Sequence, residues 1–349
     1  MLIRQSSHQL CIDTPAKVNF FLELHGKRED GFHQIDTVMQ TVSLWDELRF
    51  VGTEGSEILL SCELRQPSGQ PSEQDSIPSD HRNLIVRACQ RLREYAIENQ
   101  IDSPLPPTGL KIELTKWIPS AAGLGGASSD CAAALVGANR IWNLGLSLPQ
   151  LHSIAAELGS DVPFFLYGGA CRCQGRGELI QPLSATAGLD LVIVKPPVAL
   201  STKDVFSRVD SSDTAPAASD ANTGSTDPAE KSVQAIATGR PQQVAASLFN
   251  RLAKPAAQLT DQLDRLSGLF DRAGSLGHQM SGSGSSYFGI FQNRKSAAIA
   301  CQQLANQLKD CRVFAVRTLA AADLAVAVEQ PELANQNSSP VQQGTSQWK

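Results

Sequence analysis

PSAAGLGGASS, residues 119–129, is the stretch around which the chain organises itself. Pro119, Ser120, Ala121 and Ala122 lead into Gly123, Leu124, Gly125, Gly126 and Ala127, and Ser128 and Ser129 close it. The glycines carry no Cβ to hold an anion away from the main chain. Just before it, residues 110–114 (LKIEL) alternate apolar and charged side chains, the period of a strand. Just after it, the Ala-rich segment from about Ser129 to Ile141 predicts a helix. Strand, Gly-rich loop and helix start bring unpaired N–H groups and the positive end of a helix dipole to one place, which suits a phosphate. Ser128 and Ser129 would add hydroxyls at the mouth of the helix. An ordinary Gly-rich turn with a serine cap uses the same residues, so the loop alone leaves both readings open.

The commoner phosphate loops do not fit. A Walker A loop places a lysine after its last glycine, and here Ala127 follows Gly126. A dinucleotide fingerprint begins directly after its strand and is followed by an acid that ends the next strand. Residues 117–122 make the approach too long, and no such acid stands near Asn143. The H-R-D and D-F-G signatures of protein kinases are absent.

Outward from the loop, residues 17–24 (KVNFFLEL) alternate as a strand, and 27–33 (KREDGFH) read as a turn. Residues 35–44, 48–51 and 57–61 predict further strands, and residues 66–80 a surface loop. Residues 84–96 have helical spacing behind Asn83 as a cap, and a second helix follows Ser147 over about 148–158. The apolar run 162–167 ends at Gly168-Gly169, and 189–194 is an apolar strand stopped by Pro196-Pro197. Residues 210–230 have no large apolar side chain to offset ordering entropy and predict a disordered insertion. Helices at about 233–237, 244–248, 256–266 and 297–308, and strands at 287–291 and 312–318, complete the chain ahead of a loose polar tail. Strands first and paired helices later give an α+β class. At 349 residues two domains are expected, 1–185 and 186–328, followed by the tail 329–349.

Composition narrows the function classes. With 42% hydrophobic and 19% charged residues the chain is an ordinary globular protein. A formal charge of -5 disfavours nucleic acid and anionic membranes as partners. The eight cysteines form no C-x-x-C pair and do not cluster with the histidines, so free thiols in a reducing compartment are expected, and no metal site. MLIRQSSHQL lacks the apolar core of a signal peptide, and no apolar run reaches the length of a membrane span. A cytoplasmic protein, monomer or homodimer, is the expectation.

Three further signals stand beside the loop. Ser281, Gly282, Ser283 and Gly284 lie in MSGSGSS, a second small-residue loop that would give a second backbone wall for one polyanion. Alone it reads as a hairpin turn. Asp161 stands in GSDVPFF, where a helix cap is the plain reading, and Lys17 stands in PAKVN, where a solvated lysine is.

Together these pieces resemble the galactokinase, homoserine kinase, mevalonate kinase and phosphomevalonate kinase (GHMP) superfamily. The motifs that carry the likeness are PAKVNFFLELHGKREDGFHQIDT, IPSAAGLGGASSD, LGSDVPFFLYGG with GRGE after it, and MSGSGSSYFGIF, over roughly residues 13–320. Within the superfamily, PAK-x-N, DG-[YF]-H and DVPFF are most similar to the kinases that act on 4-diphosphocytidyl-2-C-methyl-D-erythritol. The resemblance implies a two-domain GHMP kinase fold, with an N-terminal ribosomal-S5-domain-2-like α/β domain and a C-terminal ferredoxin-like α+β domain. It implies transfer of the γ-phosphoryl of ATP to the substrate's tertiary 2-hydroxyl, a step of the non-mevalonate isoprenoid pathway, with Mg²⁺ held mainly through ATP. By the same likeness Asp161 is the general base and Lys17 its partner, and residues 119–129 hold ATP. Phe32 and Phe206 sandwich the cytosine, His33 reads its edge, and Asn19 faces the substrate. Phe32 departs from the commoner Tyr, and Ala127 from a third Gly.

Two other readings compete. Another GHMP kinase is disfavoured by the Lys17/Asp161 pair, which homoserine kinases lack, and by DG-[YF]-H, which mevalonate kinases do not need. A non-catalytic nucleotide-binding protein on the same scaffold is disfavoured by the intact set of motifs.

Overall fold

The computed structural model describes residues 1–6, 9–29, 31–65, 77–101, 108–184, 188–209 and 227–324. Most of the loop expected at 66–80, most of the insertion expected at 210–230 and the tail lie outside these residues. The chain opens with β1 (Leu2–Gln5), β2 (Leu10–Lys27), β3 (His33–Thr53) and β4 (Ile58–Leu64). Helix α1 (Leu84–Glu98), strand β5 (Gly109–Lys116), and helices α2 (Gly126–Ile141), α3 (Leu148–Leu158) and α4 (Val162–Tyr167) follow, then β6 (Ala170–Gly175) and β7 (Leu179–Leu183). The second half runs β8 (Asp190–Lys195), α5 (Thr202–Ser207), α6 (Pro228–Thr238), α7 (Pro241–Ala246), β9 (Phe249–Asn250), α8 (Ala253–Ala257), α9 (Gln262–Arg272), β10 (Gly277–Met280), β11 (Tyr287–Phe291), α10 (Arg294–Gln307) and β12 (Arg312–Arg317).

Two sheets result. The first has the order β1-β2-β3-β5-β4, with β6 and β7 continuing from β3 and β9 adding parallel to β2. Strand β3 is long enough to pair β6 through Ile35 to Gln40 and β5 through Glu47 to Thr53. The second sheet has the order β10-β11-β8-β12, antiparallel throughout. With helices between β8 and β10 and between β11 and β12, that is the βαββαβ ferredoxin-like arrangement.

The core explains why α2 could be read so early. Cys131 through Val136 are fully buried on this helix. A Cβ on Gly137 would lie 2.5 Å from the Phe50 ring, so only small residues let α2 lie this close to the sheet. Helix α1 starts as expected at Asn83, whose side chain accepts from the N–H of Ile85.

Three expectations change. Residues 35–44 and 48–51 belong to the single strand β3, because the polar interruption at Asp46 is a fully buried anchor and not a turn. Residues 256–266 fall into α8 and α9, separated at Thr260 and Asp261. Lys17 lies within β2 and not at its start, two residues past a register shift between Pro15 and Ala16. Such a bulge re-aims the side chains that follow it. Strands β6, β7 and β10 and helix α5 carried too short or too mixed a pattern to be read from the sequence.

Candidate functional site

Strand β2, the Gly-rich loop, α4 and the loop before β11 converge on one cavity of about 1080 Å³. Lys17 and Asp161, far apart in sequence, meet there with Nζ 3.5 Å from Oδ2. The lysine side chain is 4% exposed and that of the aspartate 33%, so a ligand in the cavity can reach the carboxylate while the ammonium stays behind it. Asp161 occupies the cap position of α4 yet makes no side-chain cap bond, which leaves its carboxylate for the cavity. Lys17 donates to Asn19 Oδ1 at 2.7 Å, and Asn19 in turn donates to Thr37 Oγ1 at 2.9 Å. The Lys17 N–H also donates to Leu124 O at 3.0 Å, tying β2 to the Gly-rich loop.

The two small-residue loops are joined backbone to backbone. Ser286 N donates to Ala122 O at 3.1 Å, and Ser281 Oγ donates to Gly123 O at 2.9 Å. A Cβ on Gly123 would stand 2.2 Å from Ser281 O, and one on Gly125 2.7 Å from Phe165 Cζ. Both glycines have φ of 71°, and Ala121 adopts 46°, a left-handed conformation that strains an alanine. Asn250 Nδ2 holds the far loop by donating to Met280 O at 2.8 Å and Gly282 O at 2.9 Å. With Gly125 as N-cap, the first-turn N–H groups of α2 have no partner inside the helix. Unpartnered N–H groups at a helix start are donors suited to an anion.

At the other end of the cavity His33 and Phe206 face each other with ring centroids 5.1 Å apart. Burial, with Lys27 adding its charge, lowers His33 from the usual imidazole value. The ring is therefore neutral at neutral pH and has both a donor and an acceptor to offer.

Comparisons with known proteins bear on the family and the fold. The family model of the GHMP kinases N terminal domain matches residues 83–169, and that of the GHMP kinases C terminal matches 232–310. A 4-diphosphocytidyl-2-C-methyl-D-erythritol kinase of Brevibacillus brevis is 35% identical over 90% of this chain and 97% of its own. One of Pelotomaculum thermopropionicum is 36% identical over 81% and 89%. The crystal structure of a 4-(cytidine 5'-diphospho)-2C-methyl-D-erythritol kinase superposes with a TM-score of 0.67 at 29% identity, covering 88% of this chain and 98% of that one. A homoserine kinase from Cytophaga hutchinsonii reaches the same TM-score at 18% identity and shares the fold. The chain belongs to the 4-diphosphocytidyl-2-C-methyl-D-erythritol kinase family.

As a member of that family and of the GHMP kinases it is a small-molecule kinase, and the expected fold holds for both halves. The cavity brings together Lys17, Asn19, Asp161, Phe32, His33, Phe206, Gly123, Gly125, Gly282, Ser283 and Gly284. Ser129 differs from its expected place at the mouth of the helix. It is fully buried, its hydroxyl donates to Pro15 O at 2.7 Å, and it lies against the Thr14 hydroxyl. It pins α2 to β2 and offers a ligand nothing. Of the two rings expected to sandwich the base, Phe206 has His33 as its ring neighbour. Phe32 is 51% exposed at the rim, with the Arg176 guanidinium 5.2 Å over its face.

Sequence reasoning missed the cations of this end. Lys27, Arg176 and Lys203 all line the cavity. Arg176 sits in the GRGE stretch that helped carry the resemblance, but a cation in a tight turn has no signature of its own. Among the described residues no three His, Cys, Asp or Glu side chains gather as a metal site, and no helix is long and apolar enough to cross a membrane. The cysteines are free, and burial pushes the Cys89 and Cys171 thiols up to about 12, so they are chemically quiet.

Proposed function

We propose that the protein transfers the γ-phosphoryl group of ATP to the 2-hydroxyl of 4-diphosphocytidyl-2-C-methyl-D-erythritol, in the cytoplasm, as a step of the non-mevalonate isoprenoid pathway. The observation that carries this reading is the Lys17–Asp161 pair, set between an anion seat and an aromatic-lined end of one cavity. A tertiary hydroxyl is a hindered, weak nucleophile. As its oxygen bonds to phosphorus, the O–H bond breaks and Asp161 takes the proton. The Lys17 ammonium offsets the charge that gathers on the oxygens around the transferred phosphorus. The N–H groups of Gly126, Ala127 and Ser128 hold the terminal phosphates, and the second loop closes the opposite side. ADP leaves with the bridging oxygen, and the product carries the phosphate.

The far end suits the rest of the substrate. Lys27, Arg176 and Lys203 bear charge opposite to a diphosphate, while His33 and the rings of Phe32 and Phe206 suit a pyrimidine. Mg²⁺ fits the donors present only as an ion carried by phosphate oxygens and water, which is its usual habit. There is no carboxylate cage among the described residues, and the Ser129 hydroxyl is committed elsewhere. When bound, the ion would supply charge neutralisation on the phosphates.

A coupled assay of ADP release, run with and without the cytidyl substrate, tests the reading. Release is expected only when that substrate is present, with none for homoserine or mevalonate. Equal release with and without it would mean that the phosphoryl group passes to water, and no release in either case would leave a nucleotide-binding protein.

A further inference from the structure

Beneath the Gly-rich loop lies a charged cluster with no part in the chemistry proposed above. Asp46 of β3, Lys116 of β5 and Asp130 of α2 are 0%, 4% and 3% exposed. Lys116 Nζ donates to Asp46 Oδ2 at 2.5 Å and to Asp130 Oδ2 at 2.7 Å. The other oxygen of Asp46 accepts from the N–H groups of Trp117 and Ile118 at 2.6 and 2.8 Å. A Cβ on Gly126 would lie 3.1 Å from Lys116 Nζ, so the ammonium is packed against the first residue of α2. Asp130 Oδ1 is buried with no hydrogen-bond partner.

The position is the informative part. Asp46 grips the chain where it leaves β5, Asp130 lies just past the first turn of α2, and Lys116 ties the two together. The phosphate loop is the segment between those grips. Buried ionic clusters are poor sources of net stability, because desolvation consumes most of what the ion pairs return. A well-packed apolar trio would serve folding as well, but it would not fix two carboxylates at one distance from one ammonium.

We propose that Lys116 is a positioning residue for the transfer reaction: held between Asp46 and Asp130, it sets the spacing between the entry of the phosphate loop and the first turn of α2, and through that spacing the affinity for the polyphosphate of ATP. This rests on the reading that ATP phosphates lie on that loop. The cytidyl end of the cavity is built on the β2–β3 turn and α5, which the cluster does not touch, so the effect falls on one substrate.

The charge balance of the cluster provides a second readout. Two carboxylates face one ammonium, and burial, opposed by Lys116, pushes the Asp130 carboxyl up to about 8. The titratable groups facing it are Asp46 from β3, Lys116 from β5, Cys62 from β4 and Cys131 beside it on α2. Burial raises Cys62 to about 11 and Cys131 further, so both stay neutral. Burial thus favours the protonated form of Asp130, which leaves one carboxylate for the one ammonium. Once Asp130 loses its proton the cluster carries a negative charge, close to the seat of a polyanion and shielded from salt.

Initial-rate kinetics of ADP release by the full chain decide the matter, with each substrate varied at saturation of the other and thermal melting as the check on folding. Lys116→Met is expected to raise the KM for ATP about tenfold while the KM for the cytidyl substrate moves less than about twofold. If both constants move together, or neither moves in a folded variant, the positioning role is wrong. Should Lys116→Met not fold, Asp130→Asn decides. In the wild type the KM for ATP should rise several-fold between about pH 7 and about pH 9.5, and Asp130→Asn should abolish that rise. A rise that persists in Asp130→Asn, or is absent from the wild type, overturns the proposal. A wild-type enzyme that shows no ATP saturation at all fails at the earlier step, the reading of the loop itself, and this inference falls with it.

Discussion

At the scale of single residues, the proposed chemistry rests on the pair Lys17 and Asp161, and its members differ in what they can lose. Asp161 makes no helix-cap bond, so replacing its carboxylate with an amide removes proton acceptance and the negative charge facing Lys17, and no bond that holds α4. Asp161→Asn is expected to melt as the wild type does while kcat falls by about a thousandfold, within the range of general-base catalysis. Turnover above about a tenth of wild type would take Asp161 out of that role. The Phe32 ring, half exposed beneath Arg176, is a separate case. Phe32→Ala is expected to raise the KM for the cytidyl substrate about tenfold, the worth of one stacked base, and to leave the KM for ATP alone. Equal changes in both constants would remove Phe32 from the substrate end. Lys17 and Asp161 could be singled out from the sequence because each stands in a distinctive motif. Arg176, Lys27 and Lys203 could not, because a lone cation beside polar residues looks like any solvated one until the fold turns it into a cavity.

At the scale of elements, the site depends on two loops being zipped together, and Gly123 is where they come closest. Its carbonyl accepts from Ser281 Oγ, its φ is left-handed, and a Cβ would strike Ser281 O. Gly123→Ala therefore has to part the loops, and with them the two walls proposed to hold the terminal phosphates. Its kcat/KM for ATP is expected to fall by about a hundredfold, as catalysis is sensitive to displacements of about 1 Å. Unchanged kinetics with ATP would show that the seam between the loops is irrelevant. Both loops were legible as small-residue runs between a strand and its neighbour. Their contact was not, since it joins segments from opposite halves of the chain through main-chain atoms that carry no residue code. The single strand β3 was hidden for a related reason. Asp46 breaks the apolar alternation, and only the fold supplies the ammonium and the two N–H donors that allow it to be buried.

At the scale of the whole molecule, the sequence suggested two units, and the structure shows how closely their cores merge. One apolar cluster contains Val18 and Phe20 of β2, Val38 and Val42 of β3, Leu191 and Ile193 of β8, Phe288 of β11 and Ile236 of α6. Main-chain bonds cross as well, with Leu319 N donating to Thr41 O at 3.1 Å. The polar seam is led by Arg172 of β6, which donates to both oxygens of Asp36 on β3 and to Asp227 just before α6. The first sheet has a second core of its own beneath α1 and α2, but this shared apolar packing covers the other side of β2 and β3, so the two halves should unfold together. Calorimetry is expected to give one transition whose calorimetric and van't Hoff enthalpies agree. Arg172→Ala leaves the Asp36 carboxylate, 6% exposed, without its guanidinium. That should cost about 3 kcal/mol, the usual loss when one member of a buried ion pair is removed. The whole transition should shift downward without splitting. If Arg172→Ala instead melted in two separate steps, the seam and not the shared core would be what holds the halves together, and the phosphate seat, built from loops of both, would open with the weaker step.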